Sequence, residues 1–427
     1  MANDSTVSGN HQRAENLRAT LVCLAVFLSG AAVLHIALAT APYTDVASNL
    51  KYLMSFAAKA AEGKLPYRDF PIEYPPLGAL WLCAFAPFSG AMTEFRPAFT
   101  AGMTLLALAG LPAVWRVAGA LSSGSPDAKN AKVISTVLYT ALLVGAGPIG
   151  IVSFDFLPAT LAAWALALKL EGRGLPAAGV LAAGTAAKLF PAVMMPIFLY
   201  HTLKHDGFSK TAREFFVFIS VVAILFGLPF LFAPEGFVDS FKYHIGRGVE
   251  AGSIYAAAIH IARIFGAGEV PVFSHGSWGF QGGGVSGVLG NISTYILLAA
   301  VICVYVFHGI RTPGKGRGDP AGGAAGLAGA SAAALLAFIL FFKVGSPQFF
   351  AWPMAFVAGV AVRKEGRSQY YLYFGACVLS QMVFPWFWED LIFANPVPIA
   401  ILALEKVFLL MAFAGMFPGL MRNPDSD

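Results

Sequence analysis

Uninterrupted apolar runs are what most limit the folds open to this chain. Runs of about membrane length lie at 17–41, 95–120, 133–152, 157–171, 214–233, 285–310, 321–341, 347–362, 369–387 and 396–420, judged against the roughly 20 residues that a spanning helix needs. Inside lipid every backbone N–H and C=O must find a partner within the protein, so spans of this length are expected to be α-helices. Only 12% of the 427 residues are charged and 57% are hydrophobic, whereas soluble domains carry about 25% charged residues. The chain is therefore expected to be an all-α, polytopic integral membrane protein.

Two further segments are ambiguous. Residues 77–92 follow Tyr74-Pro75-Pro76 and end at Ser89-Gly90, and residues 176–201 carry Lys188 in the middle, followed by Pro191. The basic loops Arg311–Arg317 (Arg311, Lys315, Arg317) and Arg363–Arg367 (Arg363, Lys364, Arg367) are assigned to the cytoplasm by the positive-inside rule. Counting outward from them gives about ten full crossings. The two ambiguous segments become re-entrant or half-length elements that each enter and leave on one side, and both termini fall inside. The domain reading is a cytoplasmic tail over 1–16, one transmembrane domain over 17–420 and a cytoplasmic tail over 421–427. Arg13 and Arg18 precede the run Leu21–Leu38, and Ala39-Thr40-Ala41 has the look of a cleavage site. The run is nonetheless taken as a retained first helix.

The net charge of +5 is small and sits in short loops, a pattern that orients a membrane protein and gives no footing for nucleic acid. Cys23, Cys83, Cys303 and Cys377 lie far apart in apolar runs, with neither metal-binding spacing nor a disulfide framework.

The same count gathers polar clusters on the outer face: the 42–76 loop, Ser153-Phe154-Asp155, the 234–284 loop, Lys343–Gln348 and Trp386–Asp390. Polar groups converging from distant segments are the expected form of an active site. Val46–Glu62 is amphipathic and should lie flat in the outer interface, with Leu50, Leu53, Met54, Ala57 and Ala61 on one side and Gly63 ending it. Asp45, just past the first run, suits either a general base or, with Thr44, the cap of that helix. In the turn that follows, Arg68 offers a forked contact to phosphate or an ion pair with Asp69. Asp69 and Glu73 are further carboxylates. A lone Lys in an apolar run is costly and functional by default, which singles out Lys188 and Lys343; the alternative is a structural ion pair with Asp155 or Glu250. Trp278 suits either a sugar face or an interfacial anchor, and Trp386–Trp388 read as an interfacial belt. Gly282-Gly283-Gly284 lacks a P-loop lysine and reads as a flexible loop.

Several of these motifs stand in a specific order. Asp45 is followed by GKLPYRDFPIEYPPLGAL, then Asp155 with Pro158, then Ala186-Ala187-Lys188-Leu189-Phe190-Pro191. Next come His244-Ile245-Gly246-Arg247-Gly248-Val249-Glu250 with Ser253, and Lys343-Val344-Gly345-Ser346-Pro347-Gln348-Phe349. This series resembles the GT-C superfamily of polyprenol-phosphate-sugar-dependent glycosyltransferases, most closely glycosyltransferase family 87, whose best-known members are mannosyltransferases. The run after the Arg-Gly element, Val249–Ser253, departs from the Gln-x-Glu-Ser type expected there.

The resemblance implies a GT-C-like fold and a sugar, mannose, carried on a polyprenyl phosphate as donor. The acceptor would be a glycolipid or glycan, and membrane lipid surrounds the whole. Asp45 would deprotonate the acceptor hydroxyl. Lys343, Arg247, Lys188 and Arg68, with His244, are the candidates for the donor phosphate. Asp69, Glu73, Tyr74, Asp155, Glu250, Ser253, Gln348 and Trp278 are the candidates for substrate binding. No cofactor is implied, and without an Asp-Asp or Glu-Asp pair in the first loop no metal is expected. The competing reading is a lipid or sugar transporter, which broken segments and an intramembrane Lys188 would also suit.

Overall fold

In the computed structural model the backbone is described for residues 2–40, 43–266, 268–312 and 320–421, and side chains for 17–40, 48–266, 268–312 and 323–417. The basic residues Lys315 and Arg317 and the tail beyond 421 lie outside the described residues, as do the side chains of residues 2–16 and of Asp45.

The chain is almost wholly helical. The elements run α1 (Ala2–Thr40), α2 (Tyr43–Ala61), α3 (Pro76–Cys83), α4 (Met92–Leu121), α5 (Ala128–Ala146), α6 (Phe156–Leu170), α7 (Gly174–Ala187), α8 (Met195–Asp206) and α9 (Phe208–Phe232). They continue with α10 (Pro234–Ile245), β1 (Val249–Glu250), α11 (Ile254–Ile264), β2 (Val272–Ser274), β3 (Ser277–Phe280) and α12 (Val285–Arg311). The chain closes with α13 (Pro320–Phe341), α14 (Met354–Val360), α15 (Arg367–Gln381), α16 (Trp388–Ile392) and α17 (Pro396–Met421). Among the described residues, six helices are long and apolar enough to cross a membrane: Leu17–Thr40, Met92–Leu121, Phe208–Phe232, Val285–Arg311, Gly323–Phe341 and Pro396–Phe417. Phe156–Leu170, Gly174–Ala187 and Ile254–Ile264 are shorter apolar helices. The protein is a polytopic all-α membrane protein, with one small sheet that its apolar pattern did not announce.

Long-range contacts fix the direction of each helix. At one end, Arg96 of α4 donates to Leu38 O at the close of α1, and Tyr255 of α11 donates to Phe341 O at the close of α13. At the far end, Arg116 of α4 pairs with Glu171 at 3.1 Å, Lys169 of α6 pairs with Glu214 of α9 at 2.5 Å, and Gln369 of α15 donates to Gly415 O of α17. Helices α4 to α9 thus alternate up and down, and the segment 174–206 forms a hairpin. Helix α7 climbs from the far end, the chain breaks at Lys188, and α8 returns to place Thr202 beside Lys169. This matches the expectation that the segment enters and leaves on one side. The run 347–362 is no single helix: Pro347 opens a tight 3₁₀ turn to Ala351, and Pro353 precedes α14.

The apolar core is knitted by small residues. In α13, Ala328, Ala330, Ala332, Ala333, Ala334 and Ala337 are all buried, and such residues let membrane helices pack closely. Helix α2 buries Leu50, Leu53, Phe56 and Ala57, as its amphipathic pattern requires, whereas Ala61 is exposed. Gly63, at φ +76°, ends it in the left-handed conformation that suits glycine.

Candidate active site

The first loop, the 148–155 turn, the break at Lys188, the 244–250 segment and the 343–352 segment meet at the end of the bundle where α1 closes. Each is carried by a different part of the chain, so the site exists only in the folded protein. Helix α2 is fastened to it by Asn49, whose amide donates to Val152 O at 2.6 Å. Asp45 stands one helical turn earlier in the same helix.

Lys188 and Asp155 form an ion pair at 2.6 Å, and Trp352 Nε1 donates to the same carboxylate oxygen at 2.6 Å. The ammonium is also boxed by the rings of Phe154, Phe349 and Trp352, at 5.0, 4.9 and 5.3 Å from their centroids. Stacking of Phe190 and Phe349 on either flank of Trp352, at 4.0 and 4.1 Å, holds that box rigid. A charge this far inside the protein survives only when paired in this way. Lys188 therefore has the structural partner that the sequence offered as its alternative role, while 19% of its side chain remains accessible.

A second knot joins the 244–250 and 343–346 segments. Lys343 Nζ donates to the carbonyls of Ile245 and Arg247 at 3.1 and 2.6 Å. Glu250 N donates to Lys343 O, and Ser346 Oγ lies 2.7 Å from both oxygens of Glu250. Arg247 sits 3.9 Å from Glu250 and donates to Ser277 Oγ at 2.8 Å. Burial, then the nearby Arg247 charge, pulls the Lys343 ammonium below its ordinary pKa. The 249–250 part of this knot is strand β1, which pairs with β3 in a sheet of order β1-β3-β2.

His244 bridges the second knot to the first loop. Its Nε2 lies 2.9 Å from Glu73 O. A carbonyl only accepts, so Nε2 carries the proton and donates, leaving Nδ1 with the lone pair in the neutral ring. Burial lowers the imidazole pKa, and Arg247, Lys188 and Lys343 lower it further. Beside it the buried Glu73 accepts from Tyr52 at 2.7 Å, and burial pushes its carboxyl above the usual range. Tyr243 donates its hydroxyl to His275 O. Tyr74 packs edge-on to Phe154 at 4.5 Å.

Other candidates are placed differently. Arg68 and Asp69 form an exposed forked pair at 2.9 Å, and Leu65 N closes the turn on Asp69. Their contacts are local to the turn, so they stand outside the cluster. Ser253 caps α11, accepting from Ala256 N at 3.1 Å. Trp278 packs against Phe273 at 5.8 Å, and its carbonyl accepts from Ala251 N. Gln348 is half-buried and immediately precedes Phe349 in sequence. The expected interfacial belt at Trp386–Trp388 divides: Trp386 is 48% exposed, but Trp388 is 7% exposed and packs with Ala251 and Leu391. Sequence reading quoted Ser346 within a motif but gave it no role, and it passed over Tyr52, Tyr243 and Trp352. Trp352 was the most findable, since it follows the Ser-Pro-Gln element within a run otherwise lacking polar atoms.

The family model described as Glycosyltransferase family 87 matches residues 72–290, more than half of the chain. The chain belongs to glycosyltransferase family 87. The match takes in Glu73, Asp155, Lys188, His244, Arg247 and Glu250; Asp45 and Lys343 lie on either side of it. This family 87 protein is a membrane glycosyltransferase of the GT-C type, dependent on a polyprenyl-phosphate-linked sugar. A comparison with curated proteins finds no match. Among solved structures it is similar to apo ArnT from Cupriavidus metallidurans, at 13% sequence identity and a TM-score of 0.43, over 92% of this chain and 77% of that one.

Proposed function

We propose that this family 87 enzyme transfers mannose from a polyprenyl-phosphate carrier to a hydroxyl of a glycolipid or glycan, with inversion at the anomeric carbon. Residues 17–420 act as one catalytic domain in the plasma membrane, with the reaction on the extracytoplasmic face and both termini in the cytoplasm. Asp45 serves as general base. Its carboxylate takes the acceptor hydroxyl proton as that oxygen attacks the anomeric carbon. The bond from that carbon to the phosphate oxygen breaks, and its electron pair leaves with polyprenyl phosphate.

The observation that carries this reading is that Lys343 Nζ is bonded to Arg247 O at 2.6 Å in the segment where His244 meets Glu73 O at 2.9 Å, while Lys188 is held by Asp155 at the same end of the bundle. The leaving phosphate gains negative charge in the transition state, and preorganised cations and donors stabilise it where water is excluded. Each cation is already held by a neighbour, Asp155, Ser277 or a backbone carbonyl, so little reorganisation is required. Glu73, Glu250, Tyr74, Gln348 and Trp278 line the approach for the sugar and the acceptor. Arg68 and Asp69 receive no role, because they satisfy each other in the exposed turn.

The test is transfer by the purified protein in liposomes supplied with synthetic polyprenyl-phosphate mannose, with the arabinose analogue run beside it. Asp45→Asn should reduce turnover by about 10²–10⁴-fold. If Asp45→Asn keeps most of the activity, Asp45 is not the base. Preference for the arabinosyl donor would displace mannose, and movement of sugar-lipid across the vesicle without a new glycosidic bond would favour transport.

A further inference from the structure

A second recess lies at the far end of the bundle, remote from the cluster just described. It is a half-open cleft of about 650 Å³ between the close of α4, the start of α5 and the start of α15. Its floor is apolar, made by Leu121, Ala131, Ile134, Leu138 and Val362, and its mouth carries Arg363, Lys364 and Arg367. The cations are not equivalent. Arg363 is partly spent, donating to Leu121 O at 3.5 Å and lying 3.7 Å from Glu365. Lys364 and Arg367 are exposed and have no ion-pair partner among the described residues. Asp127 and Glu365 also line the cleft, so the formal balance of +3 and −2 leaves a net +1.

Charge above and hydrocarbon below is the pattern of an amphiphile's binding site. Ile134 at the floor is 48% exposed, and Tyr371 at the rim is 67% exposed. The cleft therefore opens sideways along α5 and α15 as well as outward. Helices α5 and α15 both begin at this cleft, so their unpaired N–H groups point the same sign of potential towards it. A soluble anion would have no use for the apolar floor, and an apolar chain alone would have no use for Lys364 and Arg367.

We propose that this cleft binds the phosphate headgroup of an anionic phospholipid, with Lys364 and Arg367 on the phosphate and an acyl chain along Ile134 and Leu138. Basic pockets between membrane helices are known to take such headgroups. The site is separate from catalysis: none of its residues belongs to the cluster around His244.

The experiment uses the full chain, delipidated in neutral detergent, with thermal unfolding followed during titration with phosphatidylglycerol, phosphatidylcholine or inorganic phosphate. Phosphatidylglycerol should raise the melting temperature at low molar excess, while phosphatidylcholine and millimolar phosphate should not. Lys364→Gln/Arg367→Gln should weaken the apparent affinity for phosphatidylglycerol about tenfold or more, and Lys364→Arg/Arg367→Lys should retain most of it. An equal response of the wild type and the Gln variant, or of the two lipids, overturns the proposal. Equal protection by inorganic phosphate makes this a soluble-anion site and overturns the lipid assignment. Competition of the two lipids for the wild-type protein in native mass spectrometry gives a readout that needs no variant: phosphatidylglycerol should be retained, and equal retention sinks the idea.

Discussion

Lys188 and Asp155 meet at 2.6 Å although one interrupts a helix and the other precedes the next helix upstream. The pair joins the break in the α7–α8 hairpin to the start of α6, and Trp352 fixes the same carboxylate from a third segment. Removing one member leaves the other charge unpaired inside the protein. Asp155→Ala is expected to lower the unfolding free energy by about 3–5 kcal/mol. A double Lys188→Met/Asp155→Leu variant should recover most of that stability and none of the activity. Denaturant unfolding in detergent, paired with transfer assays, checks both parts.

Lys343 holds the 245–247 turn through two backbone carbonyls. Charge-assisted hydrogen bonds of this type are worth about 1.5–3 kcal/mol each. Lys343→Met should release the turn that carries Arg247 and raise the donor KM by about tenfold or more, with a further loss in kcat if the ammonium also faces the leaving phosphate. Lys343→Arg should restore the KM in part. Steady-state kinetics on the polyprenyl-phosphate donor separates the two effects.

How much of this was legible in the sequence depends on the range of the interaction. Apolar runs dictated helices wherever lipid leaves no other way to satisfy the backbone, and Gly63 marked the end of α2 because its left-handed φ suits glycine. The ordered polar motifs named Asp155, Lys188, His244, Arg247 and Lys343. Their pairing was not legible, since Lys188 had both Asp155 and Glu250 as possible partners and only the packed fold chooses. Tyr52 was missed because a tyrosine in an amphipathic helix looks like core until Glu73 is brought against it, and Tyr243 because its partner, the His275 carbonyl, comes from a turn 32 residues on. The short sheet of β1, β2 and β3 was missed because its strands are too short for any alternation to show.

The pH response of His244 follows from its environment. Its folded pKa lies below the ordinary value, through burial and through Arg247, Lys188 and Lys343. A depressed histidine contributes stability that is present above the unfolded pKa, about 6.5, and is lost as pH falls through the folded value. Glu73, which lies on the same side, has a raised carboxyl and acts in the opposite sense: its contribution is present at low pH and fades as pH rises. His244→Gln keeps an N–H for the Glu73 carbonyl but cannot titrate. Between pH 7 and 5, its unfolding free energy should fall less than that of the wild type. Parallel curves would show that His244 does not titrate as its surroundings imply.

A tight backbone approach in the site lies between the 252–253 and 345 positions. A Cβ placed on Gly345 would stand 2.5 Å from Ser253 Cα, and one on Gly252 would stand 2.6 Å from Gly345 O. Both obstacles are backbone, so no side-chain rotation relieves them. Gly345→Ala must push the 343–346 segment off the start of α11, stretching the Ser346–Glu250 contact at 2.7 Å. Overpacking of this kind costs about 1–3 kcal/mol. The loss of activity should exceed what that stability change explains, because Arg247 and Lys343 move with the segment. Gly227 in α9 supplies the contrast, since a Cβ there meets nothing within 4 Å. Gly227→Ala should be neutral or stabilising, as replacing a helical glycine is worth roughly 0.5–1 kcal/mol. Melting temperatures and donor turnover for the two variants, measured side by side, decide the matter: equal effects would mean that the Gly252–Gly345 approach is not what holds the second knot.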